Sequence, residues 1–188
     1  MKIIKLEKYL HYIPNFYYDS VFEIPFEYFF RKNFKVLLFD LDNTLIEPYQ
    51  TTLDNKVYNF LTNISKKFQI IILSNASNRK LKKILEPNWN YVYLNLFHKK
   101  PSSWGFRKVL SLNQIQTQEV IMIGDQLATD IRGANELNIT SILVKPLNRK
   151  QENLFTKYNR FCIERPLINL IRKNNLDIYN KKFKNFIK

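Results

Sequence analysis

Short hydrophobic runs alternate with longer amphipathic segments along the chain. The runs are apolar at consecutive positions and rich in β-branched residues, which predicts strands buried on both faces of a parallel sheet. The predicted strands are residues 35–40, 69–74, 91–94, 119–125 and 140–144. The segments between them carry apolar residues at helical spacing and predict helices at residues 53–67, 77–86, 102–112 and 127–137. This alternation predicts a single α/β domain built on a doubly wound, Rossmann-like parallel sheet.

Two segments flank the predicted core. Residues 1–34 have no clear period but many Phe and Tyr residues, and we predict an N-terminal extension that packs these rings on the core. A ligand-binding role for the same rings is the alternative. Residues 35–147 contain the alternating strands and helices and form the predicted catalytic core, and residues 148–188 form a predicted basic helical tail.

Composition places the chain among globular proteins. Apolar residues make up 45% of the sequence and charged residues 24%. Cys162 is the only cysteine, so an internal disulfide is excluded, which fits a reducing cytoplasm. No stretch approaches the roughly 18–20 consecutive apolar residues needed to cross a bilayer. We therefore expect a soluble cytoplasmic protein that at most rests peripherally on a membrane.

The net charge of +14 is concentrated near the C-terminus. Residues 145–188 contain 12 Lys and Arg residues but only three Asp and Glu residues. A segment with this balance suits an anionic membrane, a nucleic acid or a phosphorylated partner. A solvated surface shaped by AT-rich codon usage explains the same charge, so the partner stays open at this point.

Polar residues with related chemistry follow the predicted strands. This set consists of Asp40, Asp42, Ser74, Asn75, Lys100, Asp125 and Asp130. Because the carboxyl ends of parallel strands meet at one edge of a sheet, where ligands bind, we expect these side chains to converge. Carboxylates suit a hard cation such as Mg²⁺, and a lysine with a hydroxyl suits a phosphate group.

In this order the residues resemble the four motifs of the haloacid dehalogenase-like (HAD) phosphatase superfamily. The first motif matches Asp40–Leu45, the second Ser74-Asn75, the third Lys100-Pro101 and the fourth Gly124–Asp130. Each motif taken alone is weakly specific, but all four occur in order at predicted strand ends. The resemblance implies a Mg²⁺-dependent phosphomonoester hydrolase with an aspartyl-phosphate intermediate.

The resemblance also implies a role for each residue. Asp40 is expected to be the nucleophile, and Asp42 the general acid and then the general base. The expected metal ligands are Asp40, Asp125 and the backbone carbonyl of Asp42. Asp130 is expected to complete the metal site or to orient Lys100.

Four further residues are expected around the phosphate. Lys100 would neutralise the nucleophile and the transferring phosphoryl group. Ser74 and the amide of Asn75 would hydrogen-bond to phosphoryl oxygens, and Thr44 would fix the loop beside the substrate. The intervals between the first three motifs are filled by predicted core elements, which leaves no room for a cap domain and implies an open site.

A resemblance to the YqeG-type family of capless IIIA HAD phosphatases extends along the chain. The further matching segments are 13–15, 19–24, 133–135, 143–146, 159–160 and 164–165. Relatives of that family act on phosphatidylglycerophosphate, so a phosphorylated lipid headgroup is an implied substrate. A nucleic-acid or nucleotide phosphatase, and a non-catalytic interaction protein on the same scaffold, are the alternatives.

Overall fold

The fold is seen in a computed structural model that describes residues 9–187. The first eight residues of the predicted N-terminal extension, and Lys188 of the predicted tail, lie outside the described residues. Six strands form one parallel sheet in the order β1-β6-β5-β2-β3-β4. The strands are β1 (Phe16–Tyr18), β2 (Val36–Phe39), β3 (Gln69–Ser74), β4 (Asn90–Tyr93), β5 (Val120–Gly124) and β6 (Thr140–Val144). The predicted doubly wound α/β fold is confirmed.

Helices connect the strands and extend beyond the last one. Those that connect the strands are α1 (Phe26–Arg31), α2 (Asn55–Ile64), α3 (Asn78–Leu85), α4 (Ser103–Asn113) and α5 (Arg132–Asn135). After β6 come α6 (Leu154–Asn159), α7 (Arg165–Asn174) and α8 (Leu176–Lys182). One π-helical turn, Leu127–Ile131, precedes α5, and a second, Arg160–Glu164, joins α6 to α7.

Side-chain oxygens set the starts of three helices. Asp54, Ser77 and Ser102 each accept a hydrogen bond from a backbone N–H in the first turn of α2, α3 and α4, respectively. Such caps satisfy donors that have no partner within the helix. In α2 the buried residues Val57 and Leu61 are four positions apart, so one apolar face meets the sheet.

The sheet is covered on both faces. Strands β2 and β5 are buried at every position, which explains their continuous hydrophobic runs. Alternate residues of these strands enter two separate cores, one packed with α2 and α3 and the other with α4 and α5. Strand β2 lies between β3 and β5, so the chain changes direction across the sheet at this strand, where ligand sites form in such folds.

The C-terminal segment packs on the core through a third apolar cluster. Leu167, Ile168 and Ile171 of α7, with Phe183 and Phe186, are buried against Leu127, Ile131 and Leu143. Arg149, Arg160 and Lys182 of this segment donate hydrogen bonds within the protein. Across residues 9–187, no helix has both the length and the apolarity needed to cross a membrane.

One strand was not visible in the hydrophobic pattern. Phe16–Tyr18 pairs in parallel with β6, and the side chain of Asn15 accepts hydrogen bonds from the backbone and side chain of Ser141. Three half-buried aromatic residues have neither a strand-length run nor an alternation of apolar and polar positions. The N-terminal aromatic segment thus extends the sheet as well as covering it.

Candidate active site

A pocket of about 380 Å³ opens at the carboxyl edge of the sheet. Its lining includes Asp40 and Asp42 after β2, Ser74 and Asn75 at the end of β3, and Lys100 after β4. Because these strands are parallel neighbours, their ends deliver the residues to one place. Gln126 and Thr129 after β5 line the pocket as well, and the start of α6 adds Asn153, Phe155 and Thr156.

Lys100 lies at the centre of the acidic group. Its Nζ is 2.6 Å from Asp40 Oδ1 and 2.6 Å from Asp130 Oδ1, and all three side chains are buried. A buried ammonium group needs paired partners to offset the loss of hydration, and the two carboxylates provide them. Burial acts to lower the pKa of Lys100, but Asp130 and Asp40 outweigh it, so the pKa is raised and the side chain stays charged.

Asn75 holds the backbone of Lys100 in place. The Lys100 N–H donates to Asn75 Oδ1 at 2.7 Å, and Asn75 Nδ2 donates to the Lys100 carbonyl at 3.1 Å. The Asn75 side chain therefore positions Lys100, and the residue also lines the pocket, so the hydrogen bond expected from its amide to phosphate stays a prediction. Ser74 is buried and lines the pocket, with its Oγ accepting from the Ala76 N–H at 3.3 Å.

Three carboxylates fit a divalent cation. One oxygen from each of Asp40, Asp125 and Asp130 lies within 4.8 Å of the other two. Asp125 Oδ1 is buried and has no hydrogen-bond partner among the described residues. An unpaired buried carboxylate oxygen is costly, and coordination of a hard cation such as Mg²⁺ would satisfy it. The side chain of Asp42 stands apart from this group.

The pKa values of the acidic residues reflect their burial. Burial raises the pKa of Asp40 to about 7, against the opposing charge of Lys100. Burial likewise raises the pKa of Asp125 well above its ordinary value, against the opposing charge of Arg160. A bound cation would lower both values, because it favours the ionised carboxylates.

Gly124 makes room for Asp130. A Cβ atom at position 124 would overlap the Asp130 carboxylate, because nonbonded atoms do not approach a Cβ atom so closely in proteins. Asp130 Oδ2 accepts a hydrogen bond from the Gln126 N–H at 3.1 Å. Glycine at this position thus allows the Asp130 side chain to fold back towards Lys100.

Arg160 binds the outer side of Asp125. Its Nη1 donates to the Asp125 carbonyl at 2.7 Å and its Nη2 to the carboxylate Oδ2. The same guanidinium lies 2.9 Å from Glu152 and 2.9 Å from Glu164, both of which are buried. Burial acts to lower the pKa of Arg160, but Glu164 and Asp125 outweigh it and raise the pKa. Residues 159–160 and 164–165 were noted only as segments that resemble the YqeG-type family, with no role assigned to them. The contact between Arg160 and Asp125 was therefore not predicted from the sequence.

Asn43 connects the first loop to the segment after β6. It has a left-handed backbone conformation (φ 68°), which asparagine tolerates better than most residues. Its Oδ1 accepts from the Asn148 N–H at 2.8 Å, and its Nδ2 donates to Glu152 Oε1 at 3.3 Å. Thr44 beside it is buried and is not among the residues lining the pocket; its Oγ1 has no partner among the described residues.

Asp42 faces a lysine that the motifs did not indicate. Lys80 on α3 donates from Nζ to Asp42 Oδ1 and, at 2.6 Å, to the Pro48 carbonyl. Burial raises the pKa of Asp42, and Lys80 opposes the shift. A raised pKa suits a carboxyl group that donates a proton near neutral pH.

Solved structures share this fold. A HAD family enzyme from Bacteroides thetaiotaomicron superposes with a TM-score of 0.52 and 15% identity, over 62% of this chain and 96% of that one. A complex of the wild-type enzyme with magnesium and inorganic phosphate gives a TM-score of 0.50, with 15% identity over 62% and 97% of the two chains. These likenesses show that the chain has the fold of HAD family enzymes.

Sequence comparisons identify the family. Residues 2–147 match the family described as mitochondrial PGP phosphatase, and the chain belongs to that family. The "Probable phosphatase YqeG" of Bacillus subtilis is 27% identical over 88% of this chain and 95% of its own length. A "Phosphatidylglycerophosphate phosphatase 1, chloroplastic/mitochondrial" of Arabidopsis thaliana is 28% identical over 73% of this chain but only 42% of its own. The predicted phosphatase class is confirmed, and the non-catalytic alternative is dropped.

Proposed function

We propose that this phosphatase hydrolyses the terminal phosphomonoester of phosphatidylglycerophosphate, with Asp40 as nucleophile. The observation that carries the catalytic part is the pairing of Lys100 with both Asp40 and Asp130 beside the unpaired oxygen of Asp125. This arrangement places one fixed positive charge and a cation-binding group around a single carboxylate. A dianionic phosphate can approach a carboxylate only when its charge is offset in this way.

Asp40, Asp125 and Asp130 would hold Mg²⁺, together with the Asp42 carbonyl implied by the motif. Bound there, Mg²⁺ supplies Lewis-acid stabilisation of the phosphoryl oxygens. Lys100 neutralises the remaining charge, and the Ser74 hydroxyl donates a hydrogen bond to a phosphoryl oxygen. Asn75 acts through Lys100 by holding its backbone, and Thr44 supports the first loop from a buried position.

The reaction has two displacements at phosphorus. In the first, a carboxylate oxygen of Asp40 forms a bond to phosphorus, the bond to the glycerol oxygen breaks, and Asp42 donates a proton to that oxygen. In the second, Asp42 takes a proton from water as the water oxygen attacks phosphorus and the bond to Asp40 breaks. Inorganic phosphate leaves, and Asp40 and Asp42 return to their starting states.

Three observations support a lipid substrate. The family is described by this activity, and the Arabidopsis relative carries the same name. The described residues between the first three motifs form core helices and strands, so the pocket is not closed by a separate cap. An uncapped pocket can receive a headgroup that stays attached to a large assembly.

The proposal includes a cytoplasmic location at the surface of an anionic membrane. Within residues 148–187 of the tail, seven basic residues are exposed to solvent, whereas Arg149, Arg160 and Lys182 donate hydrogen bonds within the protein. Exposed lysines and arginines near an anionic bilayer each contribute about 1 kcal/mol of attraction. The exposed basic residues are Lys150, Lys157, Arg165, Arg172, Lys173, Lys181 and Lys184.

Phosphate release from a set of substrates tests the proposal. Purified protein with Mg²⁺ is incubated with phosphatidylglycerophosphate, a sugar phosphate, a nucleotide and a 5′-phosphorylated oligonucleotide. We expect the highest kcat/KM for the lipid, no activity in Asp40→Asn, and unchanged activity in Asp177→Asn, which alters an exposed aspartate. Release from the oligonucleotide but not from the lipid would instead favour the nucleic-acid phosphatase.

The covalent step has its own test. Asp42 acts in both displacements, but p-nitrophenyl phosphate has a leaving group that needs no proton, so with this substrate Asp42→Asn mainly slows hydrolysis of the phosphorylated enzyme. We expect substrate-derived phosphate to be trapped on this variant in a hydroxylamine-sensitive form, as an acyl phosphate is, and to be absent from Asp40→Asn. Trapped phosphate on Asp40→Asn would exclude Asp40 as the nucleophile.

A further inference from the structure

Two segments with nearly the same sequence contribute to the lining of the pocket. Residues 95–99 read Asn-Leu-Phe-His-Lys and residues 153–157 read Asn-Leu-Phe-Thr-Lys. The first lies between β4 and Lys100, and the second is the start of α6. Lys99 from one and Asn153, Phe155 and Thr156 from the other line the pocket. We call residues 95–99 and 153–157 the two tips.

The two tips also share a local structure. In the first, Asn95 Oδ1 accepts hydrogen bonds from the backbone N–H of Phe97 and of His98, both at 3.1 Å. In the second, Asn153 Oδ1 accepts from the Thr156 N–H at 2.8 Å. An asparagine that caps a turn in this way fixes the backbone of the next residues. The Leu-Phe pair is therefore held on a folded turn in both tips.

The apolar side chains of the tips point into solvent. The exposed fractions are 79% for Leu96, 90% for Phe97, 85% for Leu154 and 65% for Phe155. Tyr158, in the next turn of α6, is 61% exposed. Large apolar side chains exposed in this way beside a pocket are typical of a surface that contacts a membrane or another protein.

The charge of the tips selects an anionic occupant. Each tip carries an exposed lysine two residues after its phenylalanine, Lys99 and Lys157. Residues 95–100 and 153–161 contain no acidic residue. Apolar side chains next to lysines are the composition that enters the interfacial region of anionic bilayers, with rings among the acyl chains and ammonium groups at the phosphates.

We propose that the two tips insert into an anionic lipid bilayer on either side of a headgroup and so bring its phosphate to Asp40. This inference deepens the proposed function and rests on it for the identity of the headgroup. Insertion of the tips differs from membrane contact through the basic tail as a whole, because the tips bring the membrane to the pocket itself. Insertion on both sides of the pocket closes it in the way that a cap domain would.

Vesicle binding separates this inference from the proposed activity. The variant is Leu96→Ser/Phe97→Ser/Leu154→Ser, whose three sites are exposed and do not line the pocket. Its control is Leu112→Ser, which removes a 69% exposed leucine at the end of α4. Binding is measured by co-sedimentation with vesicles of phosphatidylcholine alone and with phosphatidylglycerol added.

We expect the parent protein and the control to bind the phosphatidylglycerol vesicles, and the triple variant to bind at least about tenfold less. Hydrolysis of p-nitrophenyl phosphate should stay within about twofold in all three proteins, whereas hydrolysis of phosphatidylglycerophosphate in vesicles should fall in the triple variant alone. Equal vesicle binding by the parent and the triple variant would overturn the inference. Vesicle binding that depends on the tips, without lipid hydrolysis, would instead overturn only the proposed substrate.

A second measurement does not depend on the triple variant. Leu154→Trp and Leu112→Trp place a reporter on a tip and on the opposite end of the sheet. We expect brominated lipids to quench the added fluorescence of Leu154→Trp and not that of Leu112→Trp, relative to the parent. Equal quenching would exclude insertion of this tip. A parent dimer that the triple substitution dissociates, with no change in vesicle binding, would assign the tips to a contact between two copies.

Discussion

Arg160 binds Asp125 through both its carbonyl and its carboxylate, from a position 35 residues further along the chain. One face of the Asp125 carboxylate is thereby occupied, and Oδ1 on the other has no hydrogen-bond partner within residues 9–187. The guanidinium fork fixes the orientation of the carboxylate as well as supplying charge, which lysine cannot reproduce.

Replacement of Arg160 should therefore affect catalysis even where charge is kept. We expect Arg160→Lys to lower kcat/KM about 10–100-fold, with a higher Mg²⁺ requirement, because loss of a group that orients a metal ligand has effects of this size. The measurement is phosphate release over a Mg²⁺ titration. Arg172→Lys, an exposed site in the same segment, is the matched control. Activity equal to that of the parent would show that charge alone suffices at position 160.

Arg160→Gln tests the buried network itself. This change leaves Glu152 and Glu164 without their cation, and loss of one partner from a buried ionic group costs about 3–5 kcal/mol. We expect the free energy of unfolding, measured by urea denaturation, to fall by that amount. A decrease in the free energy of unfolding below about 1 kcal/mol would show that the ion pairs of Arg160 contribute no more than solvent-screened surface ion pairs do.

Asp40 should reduce stability when no metal is bound. Its pKa of about 7 in the fold exceeds that of an unfolded aspartate, about 3.9, so the folded state binds the proton more tightly. The cost is absent below the unfolded pKa, grows as pH rises, and is complete above about pH 7. We expect Asp40→Asn in EDTA at pH 8 to raise Tm by about 2–4 °C, because Lys100 keeps Asp130 as a partner.

The effect on Tm should shrink as the pH is lowered. At pH 4 the difference between Asp40→Asn and the parent should largely vanish, since the folded parent is then protonated at Asp40. Differential scanning calorimetry at pH 8, 6 and 4 gives the comparison, with Asp177→Asn as a control that stays equal to the parent. If Asp40→Asn had a lower Tm than the parent at pH 8, the ionised Asp40 carboxylate would not destabilise the metal-free fold.

Mg²⁺ binding should be linked to protons through the same carboxyl group. Protons and the cation compete for Asp40, so we expect Mg²⁺ affinity to be about tenfold lower at pH 6 than at pH 8. Calorimetric titration in two buffers with different ionisation enthalpies reports the protons released. Asp40→Asn should lose most of this release. Equal affinity at both pH values in the parent would show that Asp40 is ionised before the cation binds.

Gly124→Ala should displace Asp130. The added methyl group would overlap the Asp130 carboxylate, so the contacts of that carboxylate with Lys100 and the Gln126 N–H would lengthen. We expect activity to fall about 10–100-fold. Gly105→Ala is the control: its Cβ meets the side chains of Leu94 and Leu73, so it should cost about 1–3 kcal/mol of stability but leave the activity of the folded fraction intact. Equal activity of Gly124→Ala and Gly105→Ala would show that the position of Asp130 does not matter for activity.

The sequence alone predicted those site residues that directly follow strands of the parallel sheet. The ends of β2, β3 and β5 are adjacent because these strands are neighbours, so the convergence of Asp40, Ser74 and Asp125 followed from the hydrophobic runs alone. Lys100 belonged to the same predicted set, although its position depends on a loop that no periodicity describes, and the likeness to HAD motifs gave it an expected role. The lipid substrate and the individual roles stay predictions.

Contacts between distant segments could not be predicted in the same way. Arg160 lies in a tail whose excess of basic residues resembles a solvated surface, and only the folded tail brings it into contact with Asp125. Lys80 is one of several lysines on α3, and its turn towards Asp42 depends on how that helix packs. Pairing of this kind leaves no periodic signal in a single sequence.

The position of Arg160 also has a consequence for the newly made chain. The family match ends at residue 147, and a nascent chain of that length already contains every acidic residue of the candidate metal site. It still lacks Arg160, the arginine that balances Asp125, because that residue lies in a segment translated later. The enzyme should therefore acquire its activity only after the tail has been translated and has docked, and not while the core alone is folded.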